Sequence, residues 1–190
     1  MNILIIGAGG REHTFAWKLK QSPLCKELFI APGNAGTALC GTNLNISVTD
    51  FENLALAAIK NKIDLILVGP EEPLVKGITD FFKSNTDTEH IKIIGPRKTA
   101  SQLEGSKAFA KEFMQRHNIP TAAYREFSQE NFEEGVEYIR HHKLPIVLKA
   151  DGLAAGKGVL ICNSIAEALA EFELMILYEK FGEAGRKLVV

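Results

Sequence analysis

Several things are missing from this chain, and each absence removes a class of function. No apolar run approaches the roughly 18 residues that a membrane-spanning helix needs, and the 190 residues average close to zero in hydropathy. Charged residues make up 24% and hydrophobic residues 46%, a globular balance that excludes both a membrane span and general disorder. The net charge is only -1 at pH 7, so no basic field exists to hold nucleic acid, and any phosphate recognised belongs to a small molecule. Cys25, Cys40 and Cys162 are odd in number and lack CxxC spacing. This pattern predicts reduced thiols, a cytoplasmic location and no structural metal. A strand-like run starts at Asn2, so no signal peptide is expected. There is no convincing Ser/His/Asp or Cys/His set either, and no catalytic nucleophile is assigned.

What is present centres on Lys149-Ala150-Asp151-Gly152-Leu153-Ala154-Ala155-Gly156-Lys157-Gly158-Val159. Three glycines in seven residues allow positive φ and close approach of amide N–H groups to an anion, with Lys149 and Lys157 supplying charge at either end. Apolar runs on both sides predict that the loop joins two strands. It is not a Walker A loop. Gly152 and Gly156 enclose three residues rather than four, Gly158 stands where a Ser or Thr would reach magnesium, and a strand follows instead of a helix. A glycine-rich hairpin with two solvated lysines remains the plainer reading of this stretch alone.

The first hundred residues read as strands alternating with helices. Asn2-Ile3-Leu4-Ile5-Ile6 is an apolar strand that ends in Gly7-Ala8-Gly9-Gly10-Arg11-Glu12-His13 before a helical pattern. Such a unit puts a helix N-terminus at the carboxyl edge of a parallel sheet, where anions bind. A dinucleotide is disfavoured, because the third glycine of G-x-G-x-x-G is replaced by Glu12 and the second strand, residues 27–31, ends in Pro32-Gly33-Asn34 rather than in an acid. Further strands are expected at 44–48, 63–68 and 91–94, a capping box at Thr49 and Glu52, and one amphipathic helix carrying Leu74, Val75, Ile78, Phe81 and Phe82. Each strand ends in a Gly- or Pro-rich loop, so the predicted site lies along one sheet edge, at the loops starting with Gly7, Gly33, Gly69 and Gly95. Arg11 and His13 fit a phosphate or a solvated first turn equally. Glu71 fits either a turn carboxylate or a partner for an amine.

Beyond Gly95-Pro96 the composition changes. Residues 99–105 read as a helical connector, and Phe109, Ala110, Phe113 and Met114 mark a helix with Lys107 in its first turn. A strand over 121–127, a helix from Ser128 to about 142, the glycine hairpin, a helix from 165 to about 178 and a final strand over 187–190 follow. The expected domains are therefore 1–100, a connector at 101–118, and 119–190.

These motifs together resemble the N-terminal part of the glycinamide ribonucleotide synthetase (phosphoribosylamine-glycine ligase) family, within the ATP-grasp superfamily. The resemblance rests on Gly7 through His13, Ala31-Pro32-Gly33-Asn34-Ala35-Gly36-Thr37, Gly69-Pro70-Glu71-Glu72-Pro73-Leu74-Val75, Gln102-Leu103-Glu104-Gly105-Ser106-Lys107-Ala108-Phe109, and Lys149 through Val159. Ala8 departs from the Asn of many relatives. The resemblance implies an α/β fold: a Rossmann-like parallel sheet (the pre-ATP-grasp domain) followed by an incomplete ATP-grasp domain, the α+β small lobe. It implies a purine-pathway ligase in which ATP phosphorylates the carboxylate of glycine and the amine of 5-phosphoribosylamine attacks the acyl phosphate. ATP would be bound by Lys107, Lys149, Asp151, Gly152, Gly156, Lys157 and Gly158. The phosphoribosylamine would be bound by Gly9, Gly10, Arg11, Glu12, His13, Asn34, Gly36, Gly69, Pro70 and Glu71. Mg2+ (or Mn2+) is implied, with its ligands and most of the glycine site in the second half of the longer family fold, and none in this chain. The expected partners are small molecules, with no nucleic acid, no membrane and a monomeric state. The 190 residues alone are expected not to ligate, and a chain that stops inside a strand is expected to leave an exposed edge, with aggregation or disorder after about residue 120. Another ATP-grasp carboxylate-amine ligase, or a non-catalytic nucleotide or sugar-phosphate module, are the alternatives.

Overall fold

A computed structural model of the chain describes residues 1–153 and 157–190. It divides into two compact units, Met1–Ser101 and Gln102–Val190. Among the described residues no helix is long and apolar enough to cross a membrane.

The first unit is built on five parallel strands in the order β3-β2-β1-β4-β5. These are β1 (Asn2–Gly7), β2 (Glu27–Pro32), β3 (Thr42–Asn43), β4 (Leu65–Val68) and β5 (Lys92–Ile94). The continuous apolar character of β1 follows from burial on both faces, as parallel strands require. Leu4 and Ile6 pack with Phe29, Ala31, Ile66, Val68, Leu54, Ala58, Ile78 and Phe82, whereas Ile3 and Ile5 pack with Leu28, Ile30 and Ala16 on the opposite face. Helix α1 (Gly10–Lys20) covers the second face; α2 (Phe51–Lys60), α3 (Glu71–Val75) and α4 (Ile78–Ser84) follow in sequence.

Three expectations change here. The third strand is Thr42–Asn43, not 44–48. The alternation of Leu44, Ile46 and Val48 instead packs a segment against the core that keeps one bond to β2, Leu44 N–H to Ile30 O at 2.7 Å, and then leaves the sheet. The cap of α2 is Asp50, whose carboxylate accepts from Asn53 N–H at 3.2 Å, in place of Thr49. The single helix expected over 74–82 is two, because Gly77 adopts φ +94° and interrupts the helical backbone between α3 and α4.

In the second unit a four-stranded antiparallel sheet runs in the order β6-β9-β7-β8. Its strands are β6 (Glu126–Ser128), β7 (Ile146–Ala150), β8 (Val159–Cys162) and β9 (Lys187–Val189). Helices α5 (Lys98–Gly105), α6 (Lys107–Arg116), α7 (Phe132–Arg140) and α8 (Ile165–Ile176) complete the chain, and the boundary between units falls inside α5. Helices α7 and α8 cover one sheet face: Phe127, Ile146, Leu148, Ala150, Cys162 and Leu188 pack with Ile139, Phe172 and Met175. Gly135 lets α7 approach Phe172, whose ring would collide with any side chain there.

Two further corrections concern strands. The strand expected over 121–127 is instead Glu126–Ser128, with Arg125 also exchanging backbone hydrogen bonds with Val190, while residues 121–124 lie outside it. The last strand, β9, is not an exposed edge, because it lies between β6 and β7 and hydrogen-bonds to both.

Candidate functional site

In the first unit the site is fixed by sheet topology. The chain leaves β1 toward one face and β4 toward the other, so a crevice opens between their carboxyl ends, the usual ligand position of such sheets. Gly7 turns the chain there at φ +134°. Gly69 N–H donates to Ile6 O at 2.9 Å, and Gly33 N–H to Gly7 O at 3.1 Å, which aligns the loops after β1, β2 and β4.

Glu12 occupies the middle of this edge. It is 4% exposed, and its Oε2 accepts from Gly9 N–H at 2.7 Å while Oε1 accepts from Arg11 Nε at 3.1 Å. A Cβ on Gly7, Gly9 or Gly69 would collide with the Glu12 side chain. These glycines are therefore spaces for a carboxylate. Glu12 thus faces into the turn, and Arg11 is the exposed member, with its Nη2 3.9 Å from Glu71 Oε2. Glu71 opens α3 directly after Pro70, whose extended backbone starts that helix. Gly10 opens α1 with free space on its Cα.

Asn34 ties the second loop to the first. Its Nδ2 donates to Ala8 O at 2.8 Å, and its Oδ1 accepts from Gly36 and Thr37 N–H at 2.7 and 2.9 Å. Thr37, fully buried, and Asn43 complete the network: Asn34 N–H donates to Thr37 Oγ1 at 2.7 Å and Asn43 Nδ2 donates to Asn34 O at 2.7 Å. The His13 ring lies against Gly36, where a Cβ would come within 2.6 Å of Nδ1. Thr37 and Asn43 were missed in the sequence. The Asn34-x-x-Thr37 spacing of an Asx turn was the signal for the first.

In the second unit β7 and β8 form the expected hairpin, closed by Ala150 N–H donating to Gly158 O at 2.7 Å. Gly156 lies outside the described residues. Among the described glycines, positive φ occurs at Gly7, Gly33, Gly77 and Gly182, so Gly152 and Gly158 do not supply the left-handed turns expected of them. Gly152 is small because Ala184 is packed against it. Lys157 is exposed.

Asp151 reaches α6 rather than open solvent. Its carboxylate accepts from Ala108 N–H at 2.6 Å and from Ser106 Oγ at 3.0 Å, and Ser106 in turn caps the helix by accepting from Phe109 N–H at 3.0 Å. Lys107 Nζ donates to Asp151 O and Gly152 O at 3.4 and 3.3 Å. Burial lowers the Lys107 pKa; Asp151 raises it, Lys149 lowers it, and Glu104 raises it, in decreasing order. Lys111, one turn along, is lowered by burial and then by Lys149. Its Nζ donates to Thr121 Oγ1 and Ala122 O at 2.7 and 2.9 Å. Three lysines thus share one electrostatic neighbourhood. Lys111 was missed, although its i,i+4 spacing from Lys107 places both on one helix face.

Lys149 has no hydrogen-bond or ion-pair partner among the described residues. Cross-strand register sets it beside Val159, on the sheet face opposite the α7/α8 core, with Val147 and Ile161. Val159 and Ile161 are 45% and 62% exposed, an apolar strip next to the Lys149 ammonium group. Such a surface can take a ring on the strip and phosphate on the lysines. The described residues do not fit a magnesium site: no group of three His, Cys, Asp or Glu could hold a metal, and the Asp151 carboxylate is committed to α6.

The chain matches the family model of the phosphoribosylglycinamide synthetase N domain over residues 1–104 and that of the phosphoribosylglycinamide synthetase ATP-grasp (A) domain over residues 105–190. It is 52% identical to a phosphoribosylamine-glycine ligase of Pasteurella multocida over 192 aligned residues, spanning 100% of this chain and 43% of that protein. The crystal structure of phosphoribosylamine-glycine ligase from Thermotoga maritima superposes with a TM-score of 0.74 at 30% identity, over 100% of this chain and 43% of that one. N5-carboxyaminoimidazole ribonucleotide synthetase from Thermus thermophilus, at 20% identity and a TM-score of 0.68 over 98% of this chain and 45% of its own, shares the fold. The chain thus spans under half the length of the relatives it matches. With both domain models matched in order from end to end, it belongs to the phosphoribosylglycinamide synthetase family.

Proposed function

We propose that this chain supplies the phosphoribosylamine-binding edge and the first half of the nucleotide clamp of an ATP-dependent phosphoribosylamine-glycine ligase. In that reaction the γ-phosphoryl group of ATP passes to the glycine carboxylate. The resulting acyl phosphate is attacked by the amine of 5-phosphoribosylamine, and phosphate leaves as the amide forms. No protein nucleophile takes part, so the contribution of these residues is positioning and charge neutralisation.

The observation that carries the reading is the Lys149 ammonium group, without a partner among the described residues, beside the apolar strip of β7 and β8 and in the same electrostatic neighbourhood as Lys107. The base would lie on Val147, Val159 and Ile161, and the phosphates against Lys149 and Lys107. Residues of the hairpin loop, among them Asp151, Gly152, Gly156, Lys157 and Gly158, would close over the nucleotide, with Asp151 acting from below by holding α6 in place. Gly9, Gly10, Arg11, His13, Asn34, Gly36, Gly69, Pro70 and Glu71 would face phosphoribosylamine, Glu71 toward its amine. Magnesium ligands and most of the glycine site are assigned to the part of the relatives' length that this chain does not span.

The test is glycine-dependent ADP release by a polypeptide of the relatives' length carrying this sequence, with and without Lys149→Ala. Loss of one charge-assisted contact worth about 1.5–3 kcal/mol predicts a roughly 10- to 100-fold loss in kcat/KM for ATP. Unchanged kinetics remove Lys149 from its role, and ADP release indifferent to glycine points to a different ATP-grasp ligase. The 190-residue chain alone is predicted to form no glycinamide ribonucleotide.

A further inference from the structure

The turn after β1 has the outline of a phosphate site: glycines, a helix N-terminus and the edge of a parallel sheet. Its interior already holds an anion. Glu12 Oε2 sits 2.7 Å from Gly9 N–H, where a phosphate oxygen bound to that amide would sit, and the rest of the side chain fills the space between Gly7, Gly9 and Gly69. A second carboxylate, Glu71, stands across the crevice, and among the described residues the cation paired with both is Arg11, 3.1 Å from one and 3.9 Å from the other. His13, the other titratable group of this turn, is turned against Gly36.

We infer that Glu12 is the resident anion of this turn and sets the specificity of the crevice against phosphate. Two carboxylates face one guanidinium, so the local charge is negative. A pyrophosphate or a dinucleotide would have to displace a buried carboxylate from its amide and then meet Glu71. The turn therefore keeps the shape of a dinucleotide fingerprint while rejecting its ligand, and it favours the amine or hydroxyl end of whatever binds there. Taken with the proposed function, it means that the amine or ribose hydroxyls of phosphoribosylamine, and not its phosphate, meet this turn; the pyrophosphate titration reads Glu12 alone and does not depend on the ligase reading.

Inorganic pyrophosphate titrated into the 15N-labelled chain tests it, followed at the Gly9, Gly10 and Arg11 amides. The wild type is expected to show no saturable shift at Gly9 up to about 10 mM, a Kd no tighter than about -2.7 kcal/mol of binding. Glu12→Gln keeps an oxygen for the Gly9 N–H and removes the charge, so pyrophosphate affinity at the turn should rise by about fivefold or more. Glu12→Gly restores the third glycine and should add a direct shift of Gly9 itself. Should that variant fail to fold, the Gln variant decides. Saturable binding at the Gly9 amide in the wild type, or a Gln variant no better than wild type, overturns the inference.

Discussion

Replacing Asp151 by alanine removes the link between the glycine hairpin and the start of α6. The carboxylate takes a 2.6 Å hydrogen bond from Ala108 N–H and a 3.0 Å bond from Ser106 Oγ. Both bonds end on an ionised carboxylate and are worth about 1.5–3 kcal/mol each, the longer hydroxyl bond at the low end, and a carboxylate at a helix N-terminus adds roughly 0.3–1. Asp151 is only partly buried, so solvent screening pulls the total down, to about 2–4 kcal/mol. With a urea slope of roughly 1–3 kcal/mol per molar, the second unit's transition should move by about 1–2 M. Trp17, the single tryptophan, lies in the first unit, whereas Tyr124, Tyr138 and Tyr178 lie in the second, so the two signals can be followed separately. Asp151→Asn keeps an acceptor for Ala108 N–H and should lose about a third as much. If the alanine variant loses less than about 0.5 kcal/mol, or the asparagine variant is equally damaged, the carboxylate is not the anchor described.

Gly69→Ala should cost about 1–3 kcal/mol by overpacking against Glu12, and that cost should vanish in a Glu12→Ala background; equal costs in both backgrounds would show that Glu12 is not what fills the space. Nucleotide binding should take up protons at alkaline pH. Burial holds Lys107 and Lys111 below the ordinary lysine value, and a bound polyanion raises them, so affinity falls as pH rises through their free-state values. ADP calorimetry near pH 9 in two buffers of different ionisation enthalpy reads this directly, and proton release or no exchange contradicts it.

Much of the fold was legible because burial writes itself into composition. β1 is apolar from Ile3 to Ile6 since both its faces are covered, and β7 ran legibly into its glycine hairpin. The failures share a cause. Leu44, Ile46 and Val48 alternate as a strand does, yet beyond the Leu44 N–H bond to Ile30 O they pack on the core outside the strand, and periodicity reports burial rather than hydrogen bonding. The central place of β9 depends on which strands neighbour it, which no local pattern encodes. At the site, motif positions could be read but not side-chain direction. Glu12 and Asp151 sit in glycine-rich turns that look like anion cradles, and both carboxylates turn inward to cap the helix that a phosphate would have faced. The signals overlooked were spacings: Lys107 to Lys111 along one helix face, and Val147, Val159 and Ile161 on the outer face of a hairpin.

The central claim is that the nucleotide phosphates are held in the second unit, by Lys107 and Lys149, and not by the glycine turn of the first. Titration of the 15N-labelled chain with ADP tests it most directly. The account predicts shifts at Lys107, Val147, Lys149, Val159 and Ile161, lost in Lys149→Ala. Shifts confined to the amides of Gly9, Gly10 and Arg11, or ADP binding undiminished by Lys149→Ala, would contradict it.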